Sequence, residues 1–309
     1  MSAPRVQFRH PARRRLDGVL LLDKASGITS NHALQAARRL LNAEKAGHTG
    51  TLDPLATGLL PLCFGEATKF SGELLDADKR YVATVQLGIT TDSADAEGTV
   101  LERRPVNVSR EQVEEAMAAF VGMIAQVPPM HSALKRDGKP LYEYARAGIE
   151  LERKARSVCI HELRLVEWID SPAADRFVFE VKCSKGTYVR TLTADIGARL
   201  GCGAHLASLR RTGIGDLDVA DARSMEALEA MPCEARDGLL SPPDALLSGL
   251  SSVHLGVADS ARLCHGQAVR WGASEGERLR AYDQEGRFLG LCRQGGDGWL
   301  HPQRLIAGP

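Results

Sequence analysis

The sequence predicts an α+β fold: a mainly antiparallel mixed sheet with flanking helices, followed by a small C-terminal β-rich domain. Three observations carry this expectation. Residues 80–87, 159–168 and 177–183 alternate apolar and polar side chains with the period of half-buried strands. Helical patterns interrupt them without a strict strand–helix–strand rhythm, which argues against an all-parallel sheet. Beyond residue 250, three short strand patterns are separated by Asp283-Gln284-Glu285-Gly286 and Gly295-Gly296-Asp297-Gly298, both strong turn signals.

The elements follow in order. Residues 1–15, with Arg5, Arg9, Arg13, Arg14 and Arg15, read as a disordered basic terminus, and residues 16–22 as a short buried strand. Ser30 is positioned to cap a helix running to about Asn42, with Leu34, Ala37, Leu40 and Leu41 on one face. Residues 66–78 read as a second helix. Ser109 and Gln112 form a capping box ahead of a helix over 111–120. Asp137-Gly138 marks a tight hairpin turn, and 141–146 a short helix. Residues 187–200 are amphipathic and end at Gly201. The stretch 231–252 is the expected boundary, giving domains over 16–245 and 250–309. Past it, 257–264 reads as a helix, and 278–282, 288–292 and 299–306 as strands.

Composition narrows the function classes. A chain of 309 residues exceeds one comfortable core, so two domains are expected. Hydrophobic content of 44% and charged content of 25% are ordinary for a soluble globular protein. No apolar run reaches the roughly 18 residues a membrane span needs. No signal-peptide pattern follows the N-terminal arginines, and a cytoplasmic location is expected. Seven scattered cysteines never form C-x-x-C, which fits reduced thiols rather than disulfides or a zinc ribbon. Nine histidines include no H-E-x-x-H pair, so no metal site is expected. Neither a P-loop nor a strand-linked dinucleotide fingerprint occurs, and no nucleotide cofactor is expected.

Formal net charge is zero, which excludes a global basic field for coating nucleic acid. The charge is uneven, however. Residues 1–70 hold ten Lys/Arg against five Asp/Glu, and 180–212 hold six against two. Residues 221–244 hold six acids against Arg223 and Arg236. Such segments can build a local phosphate-binding face or be solvated surface.

Three segments have the density of a site. In Gly47-His48-Thr49-Gly50-Thr51-Leu52-Asp53-Pro54-Leu55-Ala56-Thr57-Gly58, one carboxylate sits among glycines, threonines and a proline. Pro54 biases Asp53 toward an extended backbone, so its carboxylate is presented on a shaped loop. The alternative is a capping aspartate before a short helix at Pro54. Lys79-Arg80-Tyr81 opens a strand, where an aromatic beside cations suits base stacking with phosphate contact. Cys183-Ser184-Lys185-Gly186-Thr187-Tyr188-Val189-Arg190-Thr191 joins a strand to a helix; an arginine there, near a buried aspartate, would keep it ionised. Ser132-Ala133-Leu134-Lys135 matches the S-x-x-K of serine acyl-enzymes, but the companion motifs are missing. The acidic loop with Asp92, Asp95 and Glu97 lacks the spacing of a calcium hand.

Taken together, these motifs resemble the TruB family of bacterial tRNA pseudouridine synthases. Gly47 to Pro54, Lys79-Arg80-Tyr81, Ser132 to Lys135 with Leu141-Tyr142-Glu143-Tyr144-Ala145-Arg146, and Cys183 to Thr191 occur in the family's order, across residues of about 16–215. His131 stands where the family would carry an aromatic residue. The resemblance implies a pseudouridine synthase catalytic domain over 16–245 and a PUA-like RNA-binding domain over 250–309. It implies isomerisation of uridine 55 in the T-loop of tRNA, without cofactor or metal, after the base is flipped out. Asp53 is then the essential carboxylate. Tyr81 stacks on the base and is a candidate proton acceptor. Arg190 orients Asp53, with Tyr188 beside it, and Leu209 packs on the base. His48 helps hold the T-loop open, and Lys24 and the segment 130–155 contact RNA, the latter as a mobile thumb. The partner is the T-arm stem-loop; no membrane or protein partner is implied, and a monomer is expected. Two other readings compete: a noncatalytic RNA-folding module, and a guide-RNA-dependent synthase, which the lack of extended basic tails disfavours.

Overall fold

The computed structural model of the protein describes residues 12–169, 175–272 and 276–307. Its main sheet runs, edge to edge, Arg223–Ser224, Gly18–Lys24, Thr57–Phe64, Ala204–Ile214, Lys79–Leu87, Arg176–Cys183, Arg156–Ile169 and Gly122–Gln126. Ala46–His48 and Leu217–Asp218 pair off this path. Pairing is antiparallel except between Gly18–Lys24 and Arg223–Ser224 and between Thr57–Phe64 and Ala204–Ile214. The α+β class with a mainly antiparallel mixed sheet therefore holds.

Among the described residues, three of the longer helices pack on this sheet. Ser30–Leu40 buries Ala33, Leu34 and Ala37 at helical spacing, with Leu41 just beyond its end, against Leu20 and Leu22. Its cap is Thr29, which accepts from the His32 amide, so Ser30 is released for another task described below. Arg110–Ala118 carries the expected capping box of Ser109 and Gln112. Val189–Arg199 packs Leu192 and Ile196 into the core and is followed by Gly201 at φ +80°. At 137–138, φ values of +51° and +80° make the tight turn between Lys135–Arg136 and Lys139–Pro140.

Residues 66–78 are not one helix. They form two 3₁₀ turns, Gly65–Phe70 and Glu73–Leu75, separated at Gly72. The hydroxyls of Thr68 and Ser71 donate to the carbonyls of Gly65 and Thr68, competing with the longer α-helical bonds. Two central strands lay outside the sequence expectation. Thr57–Phe64 is buried on both faces after Thr57, so it shows no alternation. Ala204–Ile214 changes register twice, between Leu206 and Ser208 and between Arg211 and Gly213, which scrambles its period.

The second sheet runs Ser252–His254, Arg278–Tyr282, Phe288–Gln294, Trp299–Leu305 and Val269–Arg270, with the helix Val257–Cys264 beside it. It has its own core of Val253, Leu263, Val269, Leu279 and Leu300. A further cluster joins the two sheets: Val19, Leu59, Phe70 and Leu74 pack with Leu246, Leu247, Phe288 and Leu291. Polar contacts reinforce it. Arg278 pairs with Glu73 at 2.7 Å, and the Lys69 ammonium donates to the Leu305 carbonyl at 2.9 Å. Of the N-terminal segment, residues 1–11 lie outside those described. Arg14 exchanges backbone hydrogen bonds with Asn42 and Glu44 and pairs with Asp237.

Candidate active site

The loop bearing Asp53 is held from three directions. The Ser30 hydroxyl donates to the Leu52 carbonyl at 3.0 Å and accepts from its amide at 2.8 Å. The Gly27 amide donates to the Pro54 carbonyl at 2.9 Å, and Ser26 Oγ to the Leu55 carbonyl at 3.1 Å. No helix follows Pro54; the chain turns and enters Thr57–Phe64 as a strand. The capping alternative for Asp53 therefore falls.

Asp53 meets Arg190 across a cleft. Nε of Arg190 lies 3.0 Å from Oδ2 of Asp53, and Nη1 lies 3.3 Å from Oδ2 of Asp95. The same guanidinium donates to the carbonyls of Ser93, at 3.2 Å, and His131, at 2.6 Å. Its side chain is 5% exposed, as is that of Asp95, whereas the Asp53 side chain is 40% exposed. One cation thus serves a hidden carboxylate that anchors it and an open one that it presents. Burial in the cleft pushes the Asp53 carboxyl above its usual range; Arg190 is the main opposing influence, and nearby Asp95 adds to the rise.

The cleft has a volume of about 180 Å³ and is lined by Thr51, Leu52, Asp53, Tyr81, Leu209, Ser132, Ala133 and the run Thr187 to Arg190. Tyr81 and Leu209 come from the adjacent central strands. Tyr188 is fixed by its backbone: its amide donates to Oε1 of Gln126 at 3.1 Å, and Nε2 of Gln126 donates to its carbonyl at 3.4 Å. Asp53, Tyr81, Tyr188, Arg190 and Leu209, singled out from sequence, therefore share one cavity.

His48 lies below the loop rather than on the cavity wall. Its Nδ1 accepts from the Gly50 amide at 3.4 Å, and burial pulls its pKa down, with Arg211 adding to the effect. Lys24 departs from the expected RNA contact in this structure: it is 1% exposed, and its ammonium donates to the carbonyls of Ala25, Ile28 and Pro54 at 2.8, 2.7 and 3.3 Å. Burial lowers its pKa to about 8. The cations of Lys79-Arg80 are likewise engaged. Lys79 donates to the carbonyls of Leu74, Leu75 and Ala77, and Arg80 pairs with Asp218 at 3.0 Å. Lys79 is thereby committed to the backbone, while the Arg80 side chain stays 41% exposed.

Four participants escaped the sequence reading: Asp95, Gln126, Ser132 as a wall residue, and Arg211. Asp95 was visible only as part of an acidic loop. Its role arises because Ala94 and Ala96 hydrogen-bond to Leu206, clipping that loop against the central strand. His131 contributes through its carbonyl, which makes its departure from an aromatic side chain immaterial to the Arg190 contact.

Sequence and structure comparisons identify the family. Residues 38–189 match the model for the N-terminal domain of TruB family pseudouridylate synthases. Residues 190–248 match the C-terminal domain of tRNA pseudouridylate synthase B, and 251–306 the C-terminal model of pseudouridine synthase II TruB. The chain is 59% identical over 295 residues to tRNA pseudouridine synthase B of Azoarcus sp. (strain BH72), covering 96% of each. It is 57% identical over 302 residues to the protein of that name from Burkholderia mallei (strain NCTC 10247), covering 96% and 98%. Among solved structures, a chain of a Cbf5-Nop10-Gar1 complex superposes with a TM-score of 0.70 at 25% identity, over 94% of this chain and 84% of that one. A chain of an H/ACA RNP bound to substrate RNA gives 0.71 at 22% identity, over 94% and 85%, and shares the fold. Fold and family matches together define a pseudouridine synthase, an isomerase. The chain belongs to the TruB family of pseudouridylate synthases.

Proposed function

We propose that the protein isomerises uridine 55 in the T-loop of tRNA to pseudouridine, with Asp53 as its essential carboxylate and no cofactor. The observation that carries this reading is the Asp53–Arg190 pair, open to a cleft walled by Tyr81 and Leu209. The relatives' name, tRNA pseudouridine synthase B, supports tRNA as the substrate.

The reaction exchanges a glycosidic C–N bond for a C–C bond through C5 of the same uracil. Nothing is added overall: C5 loses a proton and N1 gains one. A base inside folded RNA must first leave its stack, at a cost of a few kcal/mol. Tyr81 stacks on the extruded uracil and takes the C5 proton, and Leu209 packs beside it. Arg190 keeps Asp53 ionised and aimed at the reacting nucleoside, and Tyr188 completes the wall. Asp53 acts on the ribose or the base to free the uracil for its turn. His48 supports the opened T-loop, and Lys24 holds the Pro54 end of the Asp53 loop from below. The segment 130–155 closes over the T-arm as a thumb. Residues 250–309 act as a PUA-like contact for the rest of the RNA. The enzyme works as a cytoplasmic monomer; among the described residues no helix is long and apolar enough to cross a membrane.

The test is Asp53→Asn with a T-arm RNA. The variant should bind the RNA and form no pseudouridine, as read by mass spectrometry; full turnover would remove Asp53 from the chemistry. Tight binding by the wild type without any modified uridine would instead favour the RNA-folding reading.

A further inference from the structure

Arg211 is 2% exposed, and its guanidinium is bonded to no carboxylate among the described residues. A buried guanidinium without a counter-ion is costly. What it bonds is specific. Nε donates to the Leu59 carbonyl at 2.8 Å and Nη2 to the Gly50 carbonyl at 3.2 Å, and the guanidinium charge acts on the neighbouring Tyr81 phenol. Arg211 and Tyr81 are directly opposed in their antiparallel strands, so the contact follows from register. On its other side, Arg211 lies opposite Gly58 in the parallel pairing. A Cβ at Gly58 would sit 2.2 Å from the Arg211 carbonyl oxygen, so only glycine admits this approach.

We propose that Arg211 is a positioning residue for Tyr81: it holds the phenol oxygen as an acceptor and stabilises the phenolate that takes the C5 proton. The inference rests on the proposed isomerisation. In the step, the phenolate oxygen takes the proton from C5 and becomes a phenol. The C–H electron pair forms the C5–C6 double bond, the N1–C6 π pair moves onto N1, and N1 takes a proton from water. The positive charge of Arg211 offsets the anion beforehand. An acceptor role for the phenol toward Arg211 also leaves its O–H directed elsewhere, which suits a group lining the cleft. Other titratable groups face this pair. Asp53 and the Cys183 thiol oppose the Tyr81 anion, while Lys24, Lys79 and His48 feel the Arg211 charge and have their own pKa values lowered by it. Burial raises the Tyr81 pKa, and Arg211 is the largest opposing influence.

The experiment titrates the Tyr81 phenol by ultraviolet difference spectra, with Tyr81→Phe subtracted, in wild type, Arg211→Gln and Arg211→Lys. This readout needs no catalytic turnover, so it separates this inference from the assignment of function. The Tyr81 transition should move to higher pH in Arg211→Gln and stay near wild type in Arg211→Lys. In T-arm RNA assays, kcat of Arg211→Gln at neutral pH should fall at least about tenfold with KM little changed, a part of the ~10²–10⁴-fold that general acid–base groups supply. Its rate should recover partly as pH rises. If Arg211→Gln does not fold, Arg211→Lys decides: a Tyr81 transition moved to higher pH despite the retained charge overturns the proposal. An unmoved Tyr81 transition, or a kcat loss indifferent to pH, overturns it as well.

Discussion

Arg190 reaches Asp53 through Nε at 3.0 Å while its own side chain is 5% exposed, so the cation is fixed and the carboxylate is the accessible member. The pairing is asymmetric by construction. Asp95 and the carbonyls of Ser93 and His131 occupy the other nitrogens of the guanidinium. Its plane cannot rotate without breaking those bonds.

Arg190→Met should therefore cost more than one ion pair. It removes the main influence that lowers the Asp53 pKa, so that pKa rises further, and the acid limb of the kcat/KM profile moves to higher pH. It also leaves Asp95 buried without its cation, at about 3–5 kcal/mol of stability. Arg190→Lys should rescue little, because one ammonium cannot span four partners. The pH profile and a denaturant titration check both parts.

Lys24 makes stability depend on pH. Its folded pKa of about 8 lies below the ordinary 10.5, so between these values the unfolded chain binds more protons. Its contribution is unfavourable below about pH 8, and stability rises as pH climbs toward 10. The difference corresponds to about 3 kcal/mol. Thermal unfolding of Lys24→Met, compared with wild type from pH 7.5 to 9.5, should show a shallower rise.

Gly58→Ala should damage the site through the backbone. Gly58 has φ +100°, and an added methyl would collide with the Arg211 carbonyl. The strand pairing that brings Arg211 to Leu59 and Gly50 must then shift. A loss of more than about 2 kcal/mol is expected, with kcat falling alongside. Unchanged stability and rate would contradict this account of the crossing.

Removing residues 250–309 should unfold more than a binding accessory. Phe288 and Leu291 cover Val19, Leu59, Phe70 and Leu74, and Lys69 and Glu73 would lose Leu305 and Arg278. The truncated chain should melt well below the intact protein, and calorimetry of the intact protein should show one transition. Two separate transitions would mean that the shared cluster contributes little.

Much of the site was legible because its chemistry is local: the Asp53 loop, Tyr81, and the Tyr188–Arg190 run are each contiguous in sequence. The misread residues share one physical cause. Lys24 was expected to contact RNA and Lys79 to hold phosphate, yet both ammonium groups are spent on backbone carbonyls. Lys69 and Arg14 in the same basic stretch also serve Glu66 and Asp237. A local count of cations cannot distinguish these uses. Ser30 shows the same limit, since its side chain ties down Leu52 while Thr29 performs the capping. The fold class followed from the regular strands, but Thr57–Phe64 and Ala204–Ile214 were hidden by two-sided burial and by bulges.

The apolar seam between the two sheets also fixes a distance. With Phe288 wedged against Phe70 at a ring separation of 5.4 Å, the second module is a strut rather than a tethered hand. An RNA touching both the catalytic cleft and this strut must present its two surfaces at one set span.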